Sequence, residues 1–366
     1  MLCEKVKKNF GFGFMRLPMI ENDVDYEQVN RMVDVFMEAG FNYFDTARVY
    51  LDGKSENAIR ECVAKRYPRD SFVLADKLSP WIYNSEEEIR PLFESQLKSC
   101  GVDYFDVYIF HCMNRNLYEK NLRCNSFEVV NQLKKEGKVK HIAMSFHDTA
   151  DVLDRILTEQ PLIEFVQIQF NYLDYDDAGI QSKACYDVCI KHGKKVIVME
   201  PVKGGNLVNL PKEAKEFLTE KSNNSEAEFA IRFAASFPGV EMVLSGMGNM
   251  DMISENIAFM KGFVPFSEEE HQLSWDLRKL IRTVRQIPCT GCRYCVDGCP
   301  KKILIPDIFY VYNKHLAAES VWEDTKEILQ KEYNNVKDCI GCGACEGHCP
   351  QNINIKETMK LLGESI

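Results

Sequence analysis

Eight short apolar runs, each followed by an amphipathic stretch, constrain this 366-residue chain more than any other feature. The runs are FGFGFMRL at 10–17, FNYFD at 41–45, SFVLADK at 71–77, YFDVYIF at 104–110, VKHIAMS at 139–145, EFVQIQF at 164–170, KKVIVME at 194–200 and GVEMVLS at 239–245. Helical spacing recurs between them. Val29, Met32, Val33, Phe36 and Met37 share one face of 26–39, and Ile89, Leu92, Phe93 and Leu97 share one face of 85–100. Ser85-Glu86-Glu87-Glu88 opens the second stretch as a capping box would, and Gly101 follows its end. Strands that alternate with helices run parallel and are buried on both faces. About 250 residues in eight such units predict an α/β fold of the (β/α)8 TIM-barrel type. A doubly wound open sheet is the rival. The GxGxxG turn it would carry is missing, since Gly11-Phe12-Gly13 runs on into Phe14-Met15-Arg16.

Beyond the barrel, a polar helical stretch (267–285) leads to Pro288 and a region dominated by cysteine. Eight of the chain's 15 cysteines form two runs of identical spacing, CTGCRYCVDGCP at 289–300 and CIGCGACEGHCP at 339–350. The other seven (15 − 8) are Cys3, Cys62, Cys100, Cys112, Cys124, Cys185 and Cys189, with no repeating interval. A disulfide framework belongs to small secreted domains, so clustered thiols in a chain this long point to metal. C-x2-C-x2-C-x3-C-P is the spacing of bacterial iron–sulfur proteins: three thiolates grip one cubane, and the fourth, next to the Pro, ligates the other cluster. Cys289, Cys292, Cys295 and Cys349 are therefore expected on one [4Fe–4S] cluster, and Cys339, Cys342, Cys345 and Cys299 on a second. Gly291, Gly341 and Gly343 suit loops folded closely around them. Structural zinc is the alternative, but zinc sites pair two C-x2-C knuckles and do not end in Cys-Pro. The segment resembles a two-cluster ferredoxin domain, with a helical stretch at 305–333 between the motifs. We place the boundary near Arg285, giving a barrel over 1–285 and a small helical ferredoxin-like iron–sulfur domain over 286–366.

In a TIM barrel, chemistry gathers where the strands end. Asp45 ends its run, Tyr50 follows five residues later, Lys77 ends SFVLADK and His111 directly follows YFDVYIF. Singly, each has an ordinary reading: a turn-capping Asp, a packed loop Tyr, a Lys reaching for water, a core His. Together they would converge on one mouth.

Here the chain resembles the aldo-keto reductases, on GFGFMRLP (11–18), FDTARVYLDGKSE (44–56), VLADK (73–77), VYIFH (107–111) and EFVQIQFN (164–171). The resemblance implies a catalytic tetrad of Asp45, Tyr50, Lys77 and His111. Tyr50 would protonate the carbonyl oxygen, aided by the charge of Lys77 since a phenol's reference pKa is about 10. Asp45 would hold Lys77, and His111 would orient the carbonyl. The resemblance also implies NADP or NAD as hydride donor. Ser145 and Gln167 would hold the nicotinamide amide, although Phe146 stands where the family often has Asn, and Met199 would cover the ring. Glu255 and Asn256 match the family's pair after strand eight. Gly246 and Met252 stand where basic residues grip a 2′-phosphate, leaving the backbone of the Gly246–Gly248 turn to meet phosphate ahead of a helix at Asp251. Lys203-Gly204-Gly205 would help hold the pyrophosphate.

The sequence thus predicts an oxidoreductase: a nicotinamide-dependent reductase of an aldehyde or ketone whose clusters transfer electrons or staple the fold. The alternative is an electron-transfer protein that uses its barrel as a nucleotide-binding platform. A non-catalytic redox or nucleotide sensor is a third reading, and it leaves the tetrad unexplained. The expected partners are a small carbonyl substrate and an external electron carrier. A net charge of −10 argues against nucleic acid and anionic membrane. No apolar run approaches a membrane span, and MLCEKVKKNF lacks the apolar core of a secretory signal, so a cytoplasmic location is expected.

Overall fold

A computed structural model describes residues 6, 9–284, 286–317 and 319–366; Cys3 and the boundary residue Arg285 lie outside the described residues. All eight apolar runs form strands: β1 (Phe10–Gly13), β2 (Tyr43–Asp45), β3 (Val73–Leu78), β4 (Phe105–Met113), β5 (Val139–Phe146), β6 (Phe165–Gln169), β7 (Lys195–Met199) and β8 (Val240–Ser245). Every neighbouring pair is parallel, and β1 pairs with both β2 and β8, so the sheet closes into a barrel. Tyr43, Ala75, Val107, Ile109, Ala143, Ile197, Met242 and Leu244 belong to one buried core built from seven of these strands. β1 enters it through glycine because a Cβ on Gly11 would stand 2.6 Å from Leu244 and 2.8 Å from Tyr43. The weak hydrophobic signal of this strand is the mark of that tight packing.

Helices follow from spacing and caps. Tyr26–Glu38 buries Val29, Met32, Val33 and Phe36, and the Asp25 carboxylate accepts from the Gln28 N–H at its start. Glu86–Cys100 ends on Gly101 at φ 69°, as its sequence predicts. Its start differs: Ser85 makes no capping hydrogen bond, and Glu88 instead accepts from the Asn84 N–H at 2.7 Å.

The chain divides into two compact units. One comprises Met1–Pro201 and Glu228–Phe266 and holds the barrel; the other comprises Val202–Ala227 and Ser267–Ile366. In the second unit, the longer helices are Lys212–Lys221, Glu268–Ile281, Ile305–Leu316, Trp322–Glu332 and Ile355–Ser365. Glu268–Ile281 begins with a full capping box between Ser267 and Glu270. A small core of Ile303, Ile305, Ile308, Phe309, Leu329, Val336, Ile355, Met359 and Leu362 lies beside the thiols. Among the described residues, no helix is long and apolar enough to cross a membrane.

Candidate active site and iron–sulfur centres

Strand register brings the polar residues level at the C-terminal end of the barrel. Asp45 lies opposite Gly13 and Ala75, Lys77 opposite Ile109, and Ser145 opposite Gln167. The Lys77 ammonium donates to Asp45 Oδ1 at 2.5 Å and to the Thr46 carbonyl at 2.7 Å, with both side chains buried. Tyr50 sits beyond β2 at the head of a strained turn, where Leu51, Asp52 and Gly53 all adopt positive φ. Its ring centroid is 4.7 Å from Lys77 Nζ and 5.9 Å from the His111 ring. The structure therefore brings all four tetrad residues together.

The electrostatics refine the expected roles. Burial pushes Tyr50 up to about 12; Lys77 pulls it down and Asp45 pushes it up. The expected help from Lys77 is present, but desolvation outweighs it, so the phenol is protonated at neutral pH. Burial opposes the charge on Lys77, while Asp45 and then Tyr50 favour it, and the net shift is upward. Burial also raises Asp45 against the pull of Lys77. His111 is held well below its ordinary value by burial, then by the charge of Lys77, and is neutral.

Several further residues surround the tetrad. Ser79 Oγ lies 2.7 Å from His111 Nδ1, and the Trp81 ring is 5.3 Å from the imidazole. His147, pushed down to about 4 by burial, adds a second neutral imidazole. Behind Lys77 lies a buried acidic pair. Asp76 Oδ1 accepts the Lys77 N–H at 2.7 Å, and Glu56 is linked through the Gln96 amide to the Lys77 carbonyl. Only the motif …GKSE hints at Glu56, and nothing in spacing marks Ser79 or Gln96.

The residues expected to meet a nucleotide are more dispersed. Ser145 is buried, and its hydroxyl accepts from the Cys112 N–H at 2.8 Å, at a bulge where Cys112 adopts φ 54°. Gln167 is buried and bears on Asp45. Met199 is half-buried and lies opposite Gln169. Gln169 Nε2 is buried with no hydrogen-bond acceptor in reach, a donor that fits a carboxamide or similar ligand. Asn256 donates to Ser245 Oγ at 3.3 Å, while Glu255 is exposed. The helix expected at Asp251 begins at Met250, and Asn249 caps it. Arg16 packs over Gly246 at 3.3–3.4 Å from where a Cβ would stand, and its carbonyl lies 3.3 Å from the same point on Gly248. The stem of a basic residue from beyond β1 thus packs on the turn, a neighbour that a reading confined to the β8 loop misses. In the second unit, Lys203 donates to Gln351 Oε1 at 3.2 Å.

The two cysteine motifs form a structural repeat. Gly291 and Gly341 both have φ 67°; Arg293 at 66° matches Gly343 at 73°, and Lys302 at 50° matches Asn352 at 52°. Short helices Tyr294–Asp297 and Ala344–Gly347 follow. Cys289, Cys292, Cys295 and Cys349 line one cavity, with about 310 Å³ of empty space. Cys339, Cys342, Cys345 and Cys299 line another, of about 390 Å³. Four thiols around each of two cavities is a donor set that fits a [4Fe–4S] cubane.

Comparison with known proteins agrees with this architecture. The pattern of the aldo/keto reductase family matches residues 9–274, and that of a 4Fe-4S dicluster domain matches residues 288–354. An aldo-keto reductase of Gibberella moniliformis is 29% identical over 142 residues, covering 37% of this chain and 42% of the relative. An NADH-specific methylglyoxal reductase of Escherichia coli is 25% identical, covering 48% of this chain and 57% of the relative. The chain thus spans about half the length of these curated relatives. An aldo-keto reductase from Klebsiella pneumoniae, solved in complex with NADPH, superposes with a TM-score of 0.60 at 18% identity, covering 75% of this chain and 95% of that one. An eight-stranded parallel barrel, a family match across most of the chain and a dicluster match over the cysteine motifs lead to one assignment: the chain belongs to the aldo/keto reductase family and carries a C-terminal 4Fe-4S dicluster domain.

Proposed function

We propose that this oxidoreductase reduces an aldehyde or ketone, with Tyr50 as the proton donor and two [4Fe–4S] clusters in its C-terminal region. The observation that carries the reading is the convergence of Tyr50, the buried Lys77–Asp45 pair and neutral His111 at the barrel mouth. As functional modules, we assign the reductase chemistry to residues 1–285 and the clusters to 286–366. A bound reduced nicotinamide would supply the hydride, and the clusters would pass electrons singly. The chain's own residues do the rest. Tyr50 holds its proton at neutral pH and releases it to the carbonyl oxygen as charge builds there; Lys77 stabilises the phenolate that remains. Asp45 fixes Lys77. Ser79 engages His111 Nδ1, and we assign Nε2 to the substrate carbonyl, with Trp81 as one wall of the pocket.

Ser145, Gln167 and Met199 are our candidates for the nicotinamide, and Gly246, Gly248, Glu255 and Asn256 for the remainder of the cofactor. Arg16 supports an anionic ligand at that turn. The similar proteins, one an NADH-specific reductase and one solved with NADPH, support either nicotinamide. A chain with 15 cysteines, eight of them at iron–sulfur spacing, suits a reducing cytoplasm. Replacing Tyr50 by Phe tests the reading: turnover should fall 10²-fold or more, on the scale of general acid catalysis, while nucleotide affinity stays within about twofold. Full turnover in that variant would remove Tyr50 from the chemistry.

The exposed Cys342 favours a second reading, electron exchange with an external carrier. Anaerobic addition of reduced nicotinamide should then bleach the cluster absorbance; unchanged absorbance argues against it.

A further inference from the structure

The two thiol-lined cavities share one backbone pattern, so their differences lie in the side chains around them. The residue two positions after the Cys-Pro cysteine is Lys301 in one repeat and Gln351 in the other, and each lines the cavity of its own cysteine. Lys301 is exposed, so water and salt screen its charge. Gln351 is only 7% exposed, and its Nε2 has no hydrogen-bond acceptor in reach. Its Oε1 accepts from Lys203, an ammonium-bearing side chain only 3% exposed.

Lys203 is held firmly in place. It adopts φ 48°, and Gly204 follows at φ 64°, pressed so closely on the second residue of the cysteine motif that a Cβ would stand 2.4 Å from the Thr290 carbonyl oxygen. Asn206 Nδ2 donates to the carbonyl of Cys289 at 3.3 Å. One short turn thus grips the first two residues of the motif and delivers a buried cation to a residue lining its cavity.

We infer that Lys203 and Gln351 set the reduction potential of the cluster held by Cys289, Cys292, Cys295 and Cys349, making it the more readily reduced of the two. This rests on the two-cluster reading above. On reduction one electron enters, no bond breaks, and the net negative charge of the cluster grows by one unit. A buried ammonium favours that added charge far more than a water-screened one does. The Gln351 amide, polarised by Lys203 at its oxygen, has its N–H groups available for a thiolate or sulfide acceptor, a contact that raises the potential of such centres.

The test is an anaerobic dithionite titration of the full-length holoprotein, followed by electron paramagnetic resonance, with iron and sulfide analysis of each sample. Lys203→Met should shift the higher potential downward by at least a tenfold change in the reduction equilibrium, about 59 mV for one electron, and leave the other unchanged. Lys203→Arg, which keeps the charge, should retain the wild-type value. Gln351→Met should move the same centre in the same direction by less, and it decides the matter if Lys203→Met fails to retain iron. Full iron with both potentials unaltered in these variants overturns the inference and leaves the two-cluster reading standing. Wild-type protein with iron for fewer than two clusters overturns that reading itself.

Discussion

Replacing Lys77 by Met separates the stability of the barrel mouth from its chemistry. Lys77 is 1% exposed and Asp45 3% exposed, so the substitution leaves a carboxylate in a dry site without its 2.5 Å partner. Removing one member of a buried ion pair typically costs 3–5 kcal/mol. At roughly 2–4 °C per kcal/mol for a domain near this size, the melting temperature should drop by on the order of 10 °C. Adding Asp45→Asn removes the stranded charge, and most of that loss should return. Turnover should not return, because neither variant offers a cation to stabilise the Tyr50 phenolate. Thermal denaturation of anaerobic holoprotein and steady-state turnover with both nicotinamides measure the two effects. A single variant as stable as the parent, or a double variant that regains turnover along with stability, would refute the argument.

Two further outcomes follow from groups outside the mouth. Burial and then Asp76 push Glu56 from 4.5 up to about 9, so its contribution to stability is fully present below pH 4.5 and is lost as pH rises towards 9. Glu56→Gln should flatten that alkaline decline and gain on the order of 2 kcal/mol over the parent at pH 8, a figure discounted for the Arg48 guanidinium 3.2 Å away; equal declines in melting temperature between pH 6 and 8 would exclude the carboxyl as the cause. Cys349→Ala combined with Cys292→Ala should leave about four irons per chain, since both line one cavity, whereas Cys349→Ala with Cys342→Ala should leave almost none. The reverse pattern would mean that each motif completes its own cluster.

Much of the architecture was legible because its signals are local. Strands buried on both faces leave uninterrupted apolar runs, and even Phe10–Gly13, diluted by Gly11, keeps its Phe residues. Asp45, Lys77 and His111 could be placed because a strand end fixes where a side chain emerges, and the thiols because cubane geometry imposes its interval. What escaped depends on distant partners. Ser79 gains meaning only when His111 lies 2.7 Å away, and Arg16 only when β1 closes against β8. The upward shift of Tyr50 is a desolvation effect that no motif encodes. The affinity of Val202–Ala227 for the second unit is likewise invisible, because Lys203-Gly204-Gly205 looks the same whichever neighbour it meets.

That segment bears on how the chain is made. The polypeptide leaves the barrel unit after Pro201, returns at Glu228 and departs again after Phe266, so the second unit is interleaved with the first. During synthesis, Val202–Ala227 emerges before β8 and before Ser267–Ile366, the part of the chain with which it forms a compact unit. The cluster-bearing part is therefore no detachable cassette: a cut after Phe266 would separate Val202–Ala227 from the rest of its compact unit.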